Sequence, residues 1–176
     1  KVTVSTAMFP SGHPATNEGL VYEESRWDGK TCLEYTPDGK MLDIREDKKK
    51  VGAFLNPVRK DVRKFALSIV REIVKNYDVY TDAVDDCRYP VDDSDFSADS
   101  HKAFEHYLGK KVRNFPDNIF TWNADGTKNP GVYYKEWWAF RANVITSFVK
   151  EVRKEIHSIN NKVELDDKEA QEGLTG

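Results

Sequence analysis

One amphipathic helix that leads directly into a short apolar strand constrains this chain more than any other feature. Apolar side chains recur at helical spacing from Val58 to Tyr77, and most basic side chains lie off that stripe. Asn56 and Pro57 predict the start of the helix, as N-cap and first helical residue. A strand predicted at 79–85 follows at once, as in the αβ connections of parallel sheets. The unit therefore indicates an α/β fold.

Further strands and helices are predicted on both sides of this unit. β-branched residues predict a strand at 2–8, and 163–165 begins another. The turn signature Thr36-Pro37-Asp38-Gly39 predicts a small β-hairpin that pairs 31–35 with 41–45. The remaining predictions are helices at 97–108 and 134–158 and a loop over 112–130.

The number of strands limits the architecture. A complete (β/α)8 barrel takes roughly 200 residues or more, and this chain has 176. Three candidate strands and two long covering helices do not close a barrel, but they could form an open three-stranded parallel sheet. The edges of such a sheet need loops or a partner chain. We expect one domain at 1–165 and a frayed polar tail at 166–176.

Charge and cysteine content argue against several classes of protein. A net charge of -3 gives no electrostatic case for binding nucleic acid or an anionic membrane surface. No apolar run approaches the ~20 residues that span a bilayer. Cys32 and Cys87 form neither a disulfide framework nor a zinc motif, so we expect two buried thiols. Asp92, Asp93 and Asp95 lack the spacing of a calcium loop and predict a solvated acidic loop, without metal or cofactor.

Asp85 is the candidate that position alone selects. The carboxyl ends of strands form the functional edge of parallel α/β structures, and Asp85 ends the strand predicted before Asp86, Arg88 and Tyr89. A carboxylate there can act as nucleophile, base or cation stabiliser, or can simply cap neighbouring amides. Arg88 could hold it ionised or grip a ligand, and Tyr89 could stack on the face of a sugar.

Several motifs occur together in a fixed order. They are Met8-Phe9-Pro10-Ser11-Gly12-His13, Phe54-Leu55-Asn56-Pro57, Tyr77-Asp78-Val79, Asp85-Asp86-Cys87-Arg88-Tyr89-Pro90 and Trp137-Trp138-Ala139-Phe140-Arg141. With these motifs, about residues 1–165 resemble the bacterial glycoside-hydrolase-like family with an α-amylase-type barrel, often labelled family-10-like hydrolases. The chain resembles a partial barrel of that family.

The resemblance implies a (β/α)8 fold, of TIM-barrel type, that hydrolyses glycosidic bonds in a bacterial periplasmic or secreted protein. It implies that Asp85 is the principal carboxylate. The candidates for contact with a carbohydrate ligand are Asp86, Arg88, Tyr89, His13, Trp137 and Arg141. Trp137 and Trp138 point about 100° apart on a helix, so one can pack in the core while the other lines a groove. Arg141 could stack on a ring.

The strand before Asp85 departs from the family pattern. The family usually reads Asp-Gly-Ile where this chain has Tyr80-Thr81-Asp82, and a carboxylate at Asp82 is costly if it is buried without a partner. Hydrolysis also needs a second carboxylate, about 5 Å away for retention or roughly 6.5–9.5 Å for inversion. This chain offers Glu164, Asp166, Asp86 or Asp95.

Two hypotheses remain open at this point. The first is a glycoside-hydrolase-like domain that cleaves glycosidic bonds through Asp85. The second is a non-catalytic carbohydrate-binding or structural barrel fragment, natural or engineered, that assembles with a copy of itself or with a complementing chain.

Overall fold

The computed structural model describes residues 2–166, which form a mixed α/β fold. The elements are β1 (Thr3–Ala7), α1 (Leu20–Glu23), a 3-10 helix (Ser25–Trp27), β2 (Leu33–Tyr35), β3 (Met41–Asp43), α2 (Lys60–Asn76), β4 (Thr81–Asp85), α3 (Ala98–Leu108), β5 (Phe120–Trp122), β6 (Lys128–Pro130), α4 (Tyr134–Ile159) and β7 (Glu164–Asp166). Among the described helices, none combines the length and the apolar character that crossing a membrane requires.

The centre of the fold is a three-stranded parallel sheet with the strand order β1-β4-β7. Thr3 pairs with Thr81 and Ala7 with Asp85, and Thr81 also pairs with Glu164. The open three-stranded parallel sheet that the sequence predicts is therefore confirmed.

The two faces of this sheet have different surroundings because side chains alternate along a strand. Val4 and Val84 lie on the face that joins the apolar core, and Val4 lies beside Ile69 and Ile73 of α2. The opposite face is open to a large extent. It carries Thr3, Ser5, Ala7, Thr81, Ala83, Asp85, Glu164 and Asp166, all of them exposed or half-buried. Small and polar side chains thus occupy the open face.

Helices α2 and α4 pack against each other and supply much of the core. α2 buries Val62, Ala66, Val70 and Val74, which recur every four residues. The predicted N-terminus of this helix was wrong, because the helix begins at Lys60. The Asn56 side chain instead accepts a hydrogen bond from the Val58 N–H (3.0 Å) in the turn before it.

Three other sequence predictions are decided by the structure. The hairpin of β2 and β3 is confirmed, as is a helix at 97–108, where Ser97 caps α3 and Gly109 ends it at a φ of 68°. The loop prediction for 112–130 was wrong in part, because β5 and β6 pair there around a turn with Gly126 at a φ of 81°. Asp166 ends β7, and the rest of the predicted tail lies outside the described residues.

Candidate functional site

Asp85 lies at the carboxyl end of the central strand, on the open face of the sheet. The Ser5 hydroxyl of β1 donates to Asp85 Oδ2 (3.3 Å), and the Asp86 N–H donates to Asp85 Oδ1 (2.8 Å). The backbone of β1 continues alongside, since the Met8 N–H donates to the Asp85 carbonyl oxygen (3.0 Å). Two donors therefore orient a half-buried carboxylate at this edge.

The chain turns sharply as it leaves this strand. Asp86 has a positive φ of 46°, a conformation that Asp adopts more readily than most residues. Arg88 is exposed and pairs with Asp86, Nη2 to Oδ1 at 2.8 Å. Its guanidinium also lies 5.4 Å from the centre of the Phe54 ring. Asp86 and Arg88 thus form an accessible ion pair beside Asp85.

Arg141 is held between two aromatic rings beneath this turn. Its guanidinium carbon lies 4.5 Å from the ring centres of both Tyr89 and Trp138. Its Nη atoms donate to the carbonyl oxygens of Asp92 (3.0 Å) and Val91 (2.7 Å). Burial lowers the pKa of the Arg141 guanidinium, and burial raises the pKa of the Tyr89 hydroxyl. Both side chains are buried. They therefore support the 89–92 loop from inside the protein and do not form part of its exposed surface.

Trp137 lies in the core and not beside Asp85. It is 1% exposed and packs on the rings of Phe96, Phe104 and Phe140, with ring centres 4.9–5.4 Å apart. The structure therefore does not bring Trp137 to a ligand surface, whereas Trp138 stays half-exposed.

His13 lies on the long loop that follows β1. Its side chain is exposed, and its backbone N–H donates to the Glu18 carbonyl oxygen (2.8 Å). The loop starts at the same edge of the sheet as Asp85.

Asp95 is the polar residue whose role sequence reasoning missed. It was expected in a solvated loop, and this was wrong because its side chain is fully buried. Its oxygens accept hydrogen bonds from the Leu33 N–H (2.5 Å), Asn56 Nδ2 (2.5 Å) and the Ser100 hydroxyl (2.7 Å). Burial raises the pKa of the Asp95 carboxyl, and these hydrogen bonds oppose the rise. The available signal was the cluster of Asp95, Ser97 and Ser100 at the start of the predicted helix, because Asp and Ser side chains often bond to the backbone at a helix N-terminus.

The sequence names four carboxylates, Glu164, Asp166, Asp86 and Asp95, as candidates for a second carboxylate beside Asp85. Asp95 is buried and engaged, so it does not reach the open face. Glu164 and Asp166 lie on that face, on β7, and Asp166 pairs in register with Ala83. Glu164 Oε1 accepts a hydrogen bond from the Tyr80 hydroxyl (3.3 Å). Within residues 2–166, no group of three His, Cys, Asp or Glu side chains is placed to hold a metal ion.

The parallel sheet and its flanking helices form a mixed α/β domain with an aspartate at the end of its central strand. Residues 42–166 match the family described as Glycosyl hydrolase-like 10, and the chain belongs to this family. An S-layer-related protein of Niallia circulans is 34% identical over 158 residues, which is 87% of this chain and 10% of that protein. The chain thus spans about a tenth of the length of this relative.

Proposed function

We propose that this domain is a segment of a (β/α) barrel in which Asp85 is the principal carboxylate for hydrolysis of glycosidic bonds. One observation carries the proposal. The Asp85 side chain lies at the carboxyl end of the central strand, on the sheet face away from the helices. That is where the active sites of (β/α) barrels lie.

The asymmetry of the sheet supports a barrel segment. In a (β/α) barrel the helices lie outside and the inner sheet face is enclosed by the other strands. Here the face toward α2 joins the apolar core through Val4 and Val84, with Thr6 and Asp82 buried on the same face. The open face carries small and polar side chains such as Thr3 and Ser5. Strands β1 and β7 are the two edges of the described sheet, so further strands could pair with either.

The surroundings of Asp85 favour a role for its ionised form. The Ser5 hydroxyl and the Asp86 N–H both donate to its carboxylate, and donors of this kind stabilise the negative charge. An ionised carboxylate can attack the anomeric carbon or stabilise an oxocarbenium-like transition state. The protonated partner would be a second carboxyl group, and Asp166, two residues short of Asp85 on the neighbouring strand, is its candidate on this chain.

The test is an assay on aryl glycosides and oligosaccharides, with the parent chain beside Asp85→Asn. We expect the variant to lose nearly all activity while its thermal unfolding stays within a few degrees of the parent. Asp78→Asn is the matched control, because Asp78 is an exposed aspartate near the opposite end of the same strand. No activity in the parent, or equal activity in parent and Asp85→Asn, overturns the catalytic role.

A second candidate function is a non-catalytic carbohydrate-binding or structural unit that assembles with another chain. The uncovered sheet face and the two edge strands favour it, and the name of the S-layer-related relative fits a structural role. Calorimetry with oligosaccharides and light scattering at several concentrations test it. A monomer that binds no oligosaccharide contradicts it.

A further inference from the structure

A groove of about 580 Å³ lies between α2 and α3, on the far side of the domain's helical layer from the open sheet face. α2 and α3 form its walls and α4 forms its floor. Its apolar lining consists of Val58, Leu67, Ala103, Tyr107, Phe140 and Val144. Tyr107 is 45% exposed, although it packs on the Phe140 ring with centres 5.6 Å apart.

The α2 wall of the groove carries an excess of positive charge. Arg63 is used internally, since it pairs with Glu151 (2.7 Å) and donates to the Val144 carbonyl oxygen (2.8 Å). Lys60 and Lys64 are exposed, one helical turn apart, and no carboxylate in the described part of the chain lies within ion-pair distance of either. Arg71 continues the row and pairs with a carboxylate of α4. This wall is therefore cationic in a chain of net charge -3.

The α3 wall of the groove is formed by Ala103, His106 and Tyr107 and carries no lysine or arginine. His106 also lines an adjoining depression of about 430 Å³, whose other lining residues include Lys102 and Lys110. The acid in that depression, Glu105, already pairs with Lys111 (2.7 Å). The positive charge of the groove itself therefore lies on its α2 side.

We propose that this groove binds an amphipathic helix of a partner protein, with apolar side chains on one face and acidic side chains along the edge that meets α2. Two helical walls over an apolar floor match the mode in which a helix lies in a groove. The basic α2 wall selects an acidic edge by charge complementarity. A charged glycan would satisfy the lysines but would leave the apolar lining of Val58, Leu67 and Val144 without a partner. The proposal does not depend on Asp85.

The probe is a fluorescein-labelled helical peptide of about 18 residues, five turns, with Leu along one face and Glu along one edge of that face. Fluorescence anisotropy of the full chain with this peptide should show saturable binding that weakens as salt rises. A peptide with Lys in place of every Glu should not bind.

The decisive variant is Lys60→Glu together with Lys64→Glu, which reverses the charge of one wall at two exposed positions. We expect a loss of peptide affinity of about tenfold or more. Lys150→Glu with Lys154→Glu is the matched control, because these lysines are exposed at the same spacing on α4, outside the groove lining. Leu67→Asn tests the apolar lining of the α2 wall, with its folding checked by circular dichroism, and should also weaken binding.

Equal loss of affinity in the Lys60/Lys64 variant and in the control overturns the proposal, as does an absence of peptide binding. Binding of polygalacturonate without binding of the peptide assigns the groove to an acidic glycan instead. A dimer in light scattering that the Lys60/Lys64 variant abolishes assigns it to a second copy of the chain. Either of these two results would overturn the proposal that a partner helix occupies the groove.

Discussion

Asp82 is a carboxylate in the middle of β4, on the face of the sheet that joins the core. It is fully buried. The Thr6 hydroxyl donates to Oδ1 (3.0 Å), whereas Oδ2 has no hydrogen-bond partner among the described residues. Burial raises the pKa of the Asp82 carboxyl, and the Thr6 hydrogen bond opposes this. The sequence analysis predicts that a charge at Asp82 costs free energy if it is buried without a partner. In the structure one of its two oxygens is in that position.

We expect Asp82→Asn to raise the free energy of unfolding at pH 7 by about 1–2 kcal/mol, because the neutral amide avoids a buried charge. The pKa of Asp82 is higher in the folded chain than in the unfolded one. Its contribution to stability is complete below the unfolded value of about 3.9. That contribution is lost as pH rises through the folded pKa.

The measurement is urea denaturation of parent and variant from pH 3 to pH 8. The increase in the free energy of unfolding that Asp82→Asn causes should be largest at neutral pH and should become smaller toward acid pH. Asp78→Asn, at an exposed position just before β4, is the matched control. A gain that grows toward acid pH contradicts this account of Asp82.

At the scale of elements, Asp95 connects three segments that are distant in sequence. Its carboxylate takes hydrogen bonds from the β2–β3 hairpin at Leu33, from Asn56 before α2 and from Ser100 in α3. Asp95 therefore positions the hairpin against the α/β layers.

We expect Asp95→Ala to lower the free energy of unfolding by about 3–5 kcal/mol, because it leaves several buried donors without an acceptor. Asp92→Ala is the control, since Asp92 is exposed and its pair with Lys128 (2.5 Å) should contribute less than about 1 kcal/mol. Chemical denaturation measures both. Similar losses of unfolding free energy in the two variants would contradict the prediction that Asp95 positions the hairpin.

Regular elements were predictable from periodicity, and their ends were predictable only in part. Apolar spacing locates α2, α4 and β4 because burial of one face dominates their stability. The start of α2 was misplaced because Arg59 is extended, with a ψ of 129°, so the helix begins only at Lys60. Strands β5 and β6 escaped prediction because they lie in a segment rich in Asn, Asp, Gly and Pro, which indicated a loop.

The candidate site was predictable only in part. Asp85 could be placed at an edge of the sheet because a strand end fixes its position. Sequence spacing says that Trp137 and Trp138 face different ways, but it does not say which one faces the core. Tyr89 and Arg141 follow the family motif, and only packing shows that they stack on each other beneath the loop.

At the scale of the whole molecule, the uncovered sheet can lead to association with other chains. Edge strands without cover pair readily with other chains, and charged side chains on an edge discourage this. β1 carries an exposed, uncharged Thr3 on the open face. We expect Thr3→Lys to reduce concentration-dependent association without lowering the melting temperature by more than a few degrees. Light scattering over a concentration series measures this, and unchanged association would show that β1 is not the contact.

The pairing of strands also sets the order in which the sheet can form during synthesis. Thr3 pairs with Thr81 and Thr81 with Glu164, so each pairing joins positions about 80 residues apart. Ribosomes add roughly 5–20 residues per second, which leaves β1 without its partner for about 4–16 s and β4 for about as long again. Over that interval both strands depend on local hairpins and helices, and on whatever chaperone shields them.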